Sequence, residues 1–370
     1  MIMLRNKIIK FLYKNSFKKL AFRADPEDVH NNIINFGKFL GSNFITRNLV
    51  SIFFNYKNHK LEQKILGINF SNPIGLSAGF DKNAELTKIL PSVGFGFAEL
   101  GSITGEQCEG NPKPRLWRLP KSKSLVVYYG LKNDGAEAIS KRLQNKKFNI
   151  PMGISIAKTN CKKTVDVNAG IEDYLKAYKA FVNIGSYYTI NISCPNAFGG
   201  EPFSDPEKLE KLLSKIMDVQ KTKPIFIKLS PDLSQENIDQ IINLAIKYNI
   251  DGFICSNLTK KRENKNIQDK NIPEVGGISG KVVEDLSNNL ISYIYKKTNG
   301  LKIIIGVGGV FTAEDAYKKI KMGASLIQLI TGMIFNGPQT IGEINYGLVK
   351  LLEKDRYKNI SEAIGQNNKK

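Results

Sequence analysis

The chain has 370 residues, 42% of them hydrophobic, which is enough to bury one large core. Lysine and arginine outnumber aspartate and glutamate by 54 to 34, a net charge of +20, which points either to an anionic partner (nucleic acid, an acidic membrane surface or small anions) or to a lysine-rich solvated surface. The four cysteines, Cys108, Cys161, Cys194 and Cys255, with only His30 and His59 beside them, argue against a zinc cage and a disulfide framework, so no metal and a reducing compartment are expected, and no apolar run approaches the roughly 20 residues that span a bilayer.

The first 23 residues carry Arg5, Lys7, Lys10, Lys14, Lys18, Lys19 and Arg23, interleaved with Ile2, Leu4, Ile8, Ile9, Phe11, Leu12, Phe17, Leu20 and Phe22. The first acid is Asp25. This pattern suits a basic amphipathic helix lying on anionic lipid, the favoured reading. A short organelle-targeting segment and a packed helix with a solvated basic face are the rivals. Asp25-Pro26-Glu27 reads as a helix cap with proline at the first helical position. Val29, Ile33, Ile34 and Phe36 then fall near one helix face, so residues 1–60 are expected to form a small helical extension.

From about residue 66, short β-rich runs alternate with stretches of helical spacing. Strands are predicted over 72–78, 97–102, 152–157, 188–193, 225–229, 252–256, 303–307 and 325–330. Helices are predicted over 172–183, 206–218, 235–248, 282–298, 313–322 and 339–354. Eight strands alternating with helices predict an α/β fold, a (β/α)8 TIM barrel over 61–356, with a doubly wound open sheet as the rival. Residues 357–370 are expected to be a tail, frayed from 365 onward.

Barrel enzymes place their chemistry at the C-terminal ends of the strands, and polar residues cluster there. The first strand runs into Gly79-Phe80-Asp81-Lys82-Asn83, and the fourth into Asn191-Ile192-Ser193-Cys194-Pro195-Asn196. The fifth carries Lys228, and the sixth ends in Ser256-Asn257. Glycines follow in Gly276-Gly277-Ile278-Ser279-Gly280, Gly306-Val307-Gly308-Gly309 and Thr331-Gly332, where backbone N–H groups can approach a phosphate. Neither Gly94-Phe95-Gly96 nor Gly306-Val307-Gly308 completes a dinucleotide fingerprint. Lys228, inside an apolar strand, needs either a salt bridge or an electron-rich cofactor edge. Asn191, Asn196 and Asn257 offer donors and acceptors to a planar polar ring, or serve as turns and caps. Cys194 is either inert packing or a base that neighbouring cations activate.

These motifs together resemble dihydroorotate dehydrogenase from about residue 20 to 365. The resemblance rests on Asn72-Pro73-Ile74-Gly75-Leu76-Ser77-Ala78-Gly79-Phe80-Asp81-Lys82-Asn83 and on Gly110-Asn111-Pro112-Lys113-Pro114-Arg115-Leu116-Trp117-Arg118-Leu119. The glycine motifs at 276–280 and 305–309 add to it. The helical start through Asp25-Pro26-Glu27 and His30 is similar to the membrane-associated, quinone-using class. The resemblance implies FMN as cofactor, dihydroorotate and orotate as substrate and product, and quinone as final electron acceptor, in pyrimidine (UMP) biosynthesis. A related FMN barrel with another pyrimidine-like substrate or a soluble acceptor is the alternative.

By motif position, Cys194 is implied as the base, Lys82 as partner of the substrate carboxylate, and Asn191, Asn196 and Asn257 as holders of the pyrimidine. Ala78, Gly79, Ser102, Ser155, Asn191, Lys228, Ser256, Gly280, Gly308, Gly309, Ile330, Thr331 and Gly332 are implied for FMN, and His30 and Arg118 for quinone. The expected location is peripheral, on the cytoplasmic face of a bacterial inner membrane, with the mitochondrial inner membrane as alternative. Nucleic acid is not expected as a partner, because nothing resembles an added RNA-binding domain. The chain departs from the quinone-class pattern at Cys194, where serine is usual, and at Val127 and Ser155, where asparagine is usual. Leu258 replaces a threonine and Ile330 a tyrosine. A thiol has an ordinary pKa of about 8.5, far below that of an alkyl hydroxyl, so Cys194 is expected to be the easier base.

Overall fold

The computed structural model describes residues 2–368. Eight parallel strands close into a barrel in the order of the sequence. They are β1 (Ile74–Leu76), β2 (Phe97–Ile103), β3 (Met152–Ile156), β4 (Tyr187–Asn191), β5 (Ile225–Leu229), β6 (Gly252–Cys255), β7 (Ile303–Val307) and β8 (Leu326–Leu329). Ile327 of β8 pairs with Ile74 of β1, which completes the ring and excludes the open sheet.

Side chains alternate along a strand, so residues two apart share the barrel interior. Phe97, Tyr187, Phe226, Ile254, Ile305 and Leu326 form an apolar plug with Phe70. Phe70 meets Phe97 edge to face at 5.5 Å, and Tyr187 meets Phe226 at 5.3 Å. One step up the same strands stand Glu99, Thr189, Lys228 and Gln328, all buried. The Glu99 carboxylate accepts from Thr189 Oγ1 at 3.1 Å and from Gln328 Nε2 at 3.0 Å. Above this polar layer the barrel opens at its mouth.

Helix Ala313–Lys321 shows how local chemistry places the outer ring. Thr312 and Asp315 form a reciprocal capping box. The helix expected over 172–183 instead spans Val167–Ala180, because the Asp166 side chain caps it by accepting from Ala169 N. The strands Leu116–Leu119, Ser124–Val127 and Gly277–Ile278 form a small antiparallel sheet that the strand-helix alternation did not predict. It is built inside two βα connections: the first two strands form a hairpin, and Gly277–Ile278 joins it from about 150 residues further along the chain.

Before the barrel lie α1 (Ile2–Leu12), which continues through a wide turn into Lys18–Ala21, then α2 (Pro26–Ser42) and α3 (Phe44–Phe54). Asp25 caps α2 by accepting from Glu27 N and Asp28 N. The helices are tied to the barrel by Lys10–Glu343 at 2.8 Å and Tyr13 Oη to Ile334 O at 2.7 Å. A two-pronged Glu27–Arg115 pair at 2.7 and 2.9 Å fixes the start of α2. Their outward faces leave Leu4, Ile8, Phe11, Phe39, Phe44, Ile45 and Ile52 exposed. None of the described helices is long and apolar enough to cross a membrane.

The fraying expected from residue 365 is corrected. Gly365 N donates to Ile320 O, and Asn368 is held by Ser292 Oγ and Met322 O, so partly buried polar pairing ties residues 365–368 to the barrel's outer helices. Residues 369–370 of the expected tail, and Met1 of the expected amphipathic start, lie outside the described residues.

Candidate active site

The β-strand ends bring the implied residues to one mouth. Ser102 follows Gly101 on β2, Ser155 sits on β3 and Asn191 ends β4. Ser155 Oγ and Ser102 Oγ are 2.8 Å apart, and Asn191 Nδ2 donates to Ser102 Oγ at 2.8 Å. Asn257 Nδ2 donates to Asn191 Oδ1 at 3.2 Å and to Ser193 O at 2.6 Å. This chain of bonds fixes which edge each carboxamide presents.

A cavity of about 120 Å³ is lined by Ala78, Gly79, Lys82, Ser102, Asn191, Cys194, Asn196, Lys228 and Asn257, with Tyr129 and Leu258. A second of about 120 Å³ is lined by Ala78, Lys228, Ser256, Asn257, Gly280, Gly308, Gly309, Ile330, Thr331 and Gly332, with Ser279 and Leu125. The two share the walls Ala78, Lys228, Asn257 and Leu258. Ser155 lines neither; it stands behind Ser102.

The second cavity is shaped for an anion. Gly308 and Gly309 adopt φ of +113° and +74°, conformations glycine takes without strain. Ser279 Oγ and Thr331 Oγ1, 2.9 Å apart, add hydroxyls at the same rim. Lys228 is buried, and no oxygen of the described residues accepts from its Nζ. Burial pushes its ammonium down from the ordinary range, while Glu99 and Cys194 work the other way. A buried cation without an acceptor is costly, so this position fits an electron-rich partner in the space beside it.

Cys194 is half-buried, and its thiol is pushed up to about 11. Burial is the main cause and Glu201 adds to it; a backbone hydrogen bond at Asn196 and the ammoniums of Lys228 and Lys158 oppose it. The neighbouring cations are present, but burial outweighs them, so the thiol yields less thiolate at neutral pH than an ordinary cysteine while staying more acidic than an alkyl hydroxyl. Asn196 Nδ2 donates to Val127 O at 2.8 Å, while its Oδ1 is buried without a partner. The backbone at Val127 therefore orients Asn196, leaving an acceptor free for a ring N–H.

A third cavity, of about 370 Å³, lies beneath α2, α3 and the segment that follows α1. Its walls are mostly aliphatic and aromatic, and Tyr13, His30 and Arg118 are its polar side chains. Arg118 Nη1 donates to Ala24 O at 2.8 Å, and its guanidinium stands 4.7 Å from the Phe22 ring centre. Leu125 lines both this cavity and the glycine-lined one, so the two adjoin at that side chain. Sequence reasoning missed Tyr129, Ser279 and Leu125. All three sit on or beside the small antiparallel sheet, a hairpin that the distant strand Gly277–Ile278 completes.

Comparison with known proteins gives a consistent picture. The family model described as "Dihydroorotate dehydrogenase" matches residues 60–352. A "Dihydroorotate dehydrogenase (quinone)" from Trichodesmium erythraeum is 39% identical over 368 residues, covering 94% of this chain and 96% of its own. One from Haloarcula marismortui is 38% identical over 308 residues, covering 83% and 86%. Among solved structures, a dihydroorotate dehydrogenase from Eimeria tenella crystallised with ferulenol superposes with a TM-score of 0.84 at 28% identity, covering 94% of this chain and 96% of that one.

Proposed function

The chain belongs to the dihydroorotate dehydrogenase family, and from that premise we propose how its barrel mouth divides the work of the reaction. The protein oxidises dihydroorotate to orotate and delivers the electrons to a quinone, in the de novo route to UMP. Its cofactor is FMN. The residues present fit that group: left-handed glycines and two hydroxyls make a cradle for its phosphate, and the unpaired Lys228 ammonium sits where negative charge would gather on the reduced ring. FMN, when bound, supplies the two-electron acceptor for the hydride leaving C6 of the substrate and passes the electrons on.

The chain's own residues do the rest. Lys82 faces the small polar cavity and pairs with the substrate carboxylate. Asn191 and Asn257, locked to each other, and Asn196, oriented by Val127 O, hold the ring's amide edges. Cys194 on the same cavity wall takes the proton from C5. The shared wall of Ala78, Lys228, Asn257 and Leu258 is where substrate and flavin ring meet. Quinone enters through the apolar cavity beneath α2, α3 and the segment that follows α1, with His30 and Arg118 as its polar contacts.

The exposed apolar side chains of α1–α3, flanked by the basic residues of the first 23 positions, support peripheral docking on anionic lipid. Four unpaired cysteines favour a reducing side, such as the cytoplasmic face of a bacterial inner membrane.

The observation carrying this reading is the joint lining of one cavity by Cys194, Lys82, Lys228 and the three asparagines. Anaerobic titration tests it. Dihydroorotate bleaches the yellow flavin of the purified protein, and a ubiquinone analogue restores the colour; a flavin that stays oxidised at every dihydroorotate concentration refutes the reading.

A further inference from the structure

One contact joins two cavities whose tasks are otherwise separate. His30 lies on α2 and lines the apolar cavity; Lys82 lines the substrate cavity. Lys82 Nζ stands 3.1 Å from His30 Nε2 and 3.8 Å from the centre of the Tyr129 ring. The imidazole meets Phe80 edge-on at 5.0 Å. A charged Lys82 only donates hydrogen bonds, so with the ammonium form Nε2 is the acceptor and the ring is neutral with its proton on Nδ1. Burial, and then Lys82 itself, push His30 down to about 2, in keeping with that neutral form.

No carboxylate of the described residues lies within ion-pair distance of Lys82. The charged groups around it are already engaged. Glu27 is held by Arg115, with Lys132 at 3.9 Å, and Asp81 accepts from the backbone N–H groups of Glu85 and Leu86. Among the described residues His30 is therefore the one side chain that hydrogen-bonds this ammonium, and the Tyr129 face covers another flank.

We infer that His30 is a positioning residue for substrate binding: its Nε2 fixes one hydrogen of the Lys82 ammonium, leaving the remaining donors for the carboxylate of dihydroorotate. The inference rests on the reading of Lys82 as that carboxylate's partner. A lysine stem is long and flexible, so an accepting partner removes disorder before the substrate arrives. The same partner favours the charged amine against burial, which pulls Lys82 down to about 7. The helix that roofs the quinone cavity thereby completes the substrate site as well.

The test compares the FMN-loaded wild type with H30F and H30Q. Bleaching of the wild type by dihydroorotate establishes the activity; if the wild type does not bleach, the activity reading fails and this inference falls with it. Given that activity, H30F raises the orotate dissociation constant and the half-saturating dihydroorotate concentration about tenfold, while the limiting rate of flavin reduction changes less than about twofold. H30Q puts an amide oxygen near the former Nε2 position and returns both constants to within about threefold of wild type. An H30F protein with wild-type constants, slowed only in reoxidation by quinone, overturns the inference. So does an H30Q protein as weak as H30F.

Should H30F fail to hold flavin, the wild type itself answers. The chain has two histidines, so the nitrogen-15 imidazole spectrum, assigned with H59N, reads His30 directly. An unprotonated, accepting Nε2 at neutral pH supports the assignment, and a proton on Nε2 overturns it.

Discussion

At the scale of single residues, Cys194 carries the sharpest consequence. Its thiol is held up near 11 because burial outweighs the cations of Lys228 and Lys158. A base must be deprotonated to act, and a raised pKa leaves only a small thiolate fraction at neutral pH. The rate of flavin reduction at saturating dihydroorotate is therefore predicted to climb about tenfold per pH unit from pH 7 to pH 10. Stopped-flow absorbance checks this, and a plateau near pH 8.5 would show an unperturbed thiol instead. The position of this residue was legible in the sequence, since it follows a predicted strand between two asparagines; its part as the base came from the resemblance. The direction of its shift was not, because burial belongs to the folded state. The same limit hid Tyr129, whose ring packs on Lys82, and the bond from Asn196 to Val127 O.

At the scale of elements, the first three helices do two things with two faces. The inner faces bury Ile34 and Val50 against the barrel. The outer faces leave Phe39, Phe44 and Ile45 each about two-thirds exposed, at 66%, 67% and 66%. A surface with so many exposed large apolar groups calls for a partner phase, and lipid suits the accompanying basic residues. The triple variant F39S/F44S/I45S is predicted to lose at least about 2 kcal/mol of vesicle affinity, roughly thirtyfold, without losing flavin. Flotation with vesicles containing anionic phospholipid measures this; undiminished binding would place the docking surface elsewhere. Element types were readable where periodicity is strong, as for the strands 225–229 and 303–307, which the structure reproduces residue for residue. The cap at Asp166 and the sheet formed by 116–119, 124–127 and 277–278 escaped notice. One is a single side-chain bond; the other is a short hairpin joined by a two-residue strand about 150 residues away, which neither run announces alone.

At the scale of the whole molecule, three cavities lie in series. The polar one adjoins the glycine-lined one across the wall of Ala78, Lys228, Asn257 and Leu258, and the glycine-lined one adjoins the apolar one at Leu125. In the proposed reading electrons move in that order, from substrate through flavin to quinone, with the barrel and its helical extension together walling the three stations. The count of eight alternating strands made this frame legible, because parallel strands buried on both faces have few other ways to close. The convergence of loops more than sixty residues apart, such as those bearing Lys82, Cys194 and Asn257, rested on the resemblance until the fold placed them on one wall.

The central claim is that the sulfur at position 194 serves as the base opposite the flavin. Anaerobic stopped-flow comparison of wild type with C194A, both FMN-loaded and saturated with dihydroorotate, tests it most directly. The account predicts that flavin reduction slows by about 10²- to 10⁴-fold in C194A while orotate still binds. Reduction at the wild-type rate would contradict it.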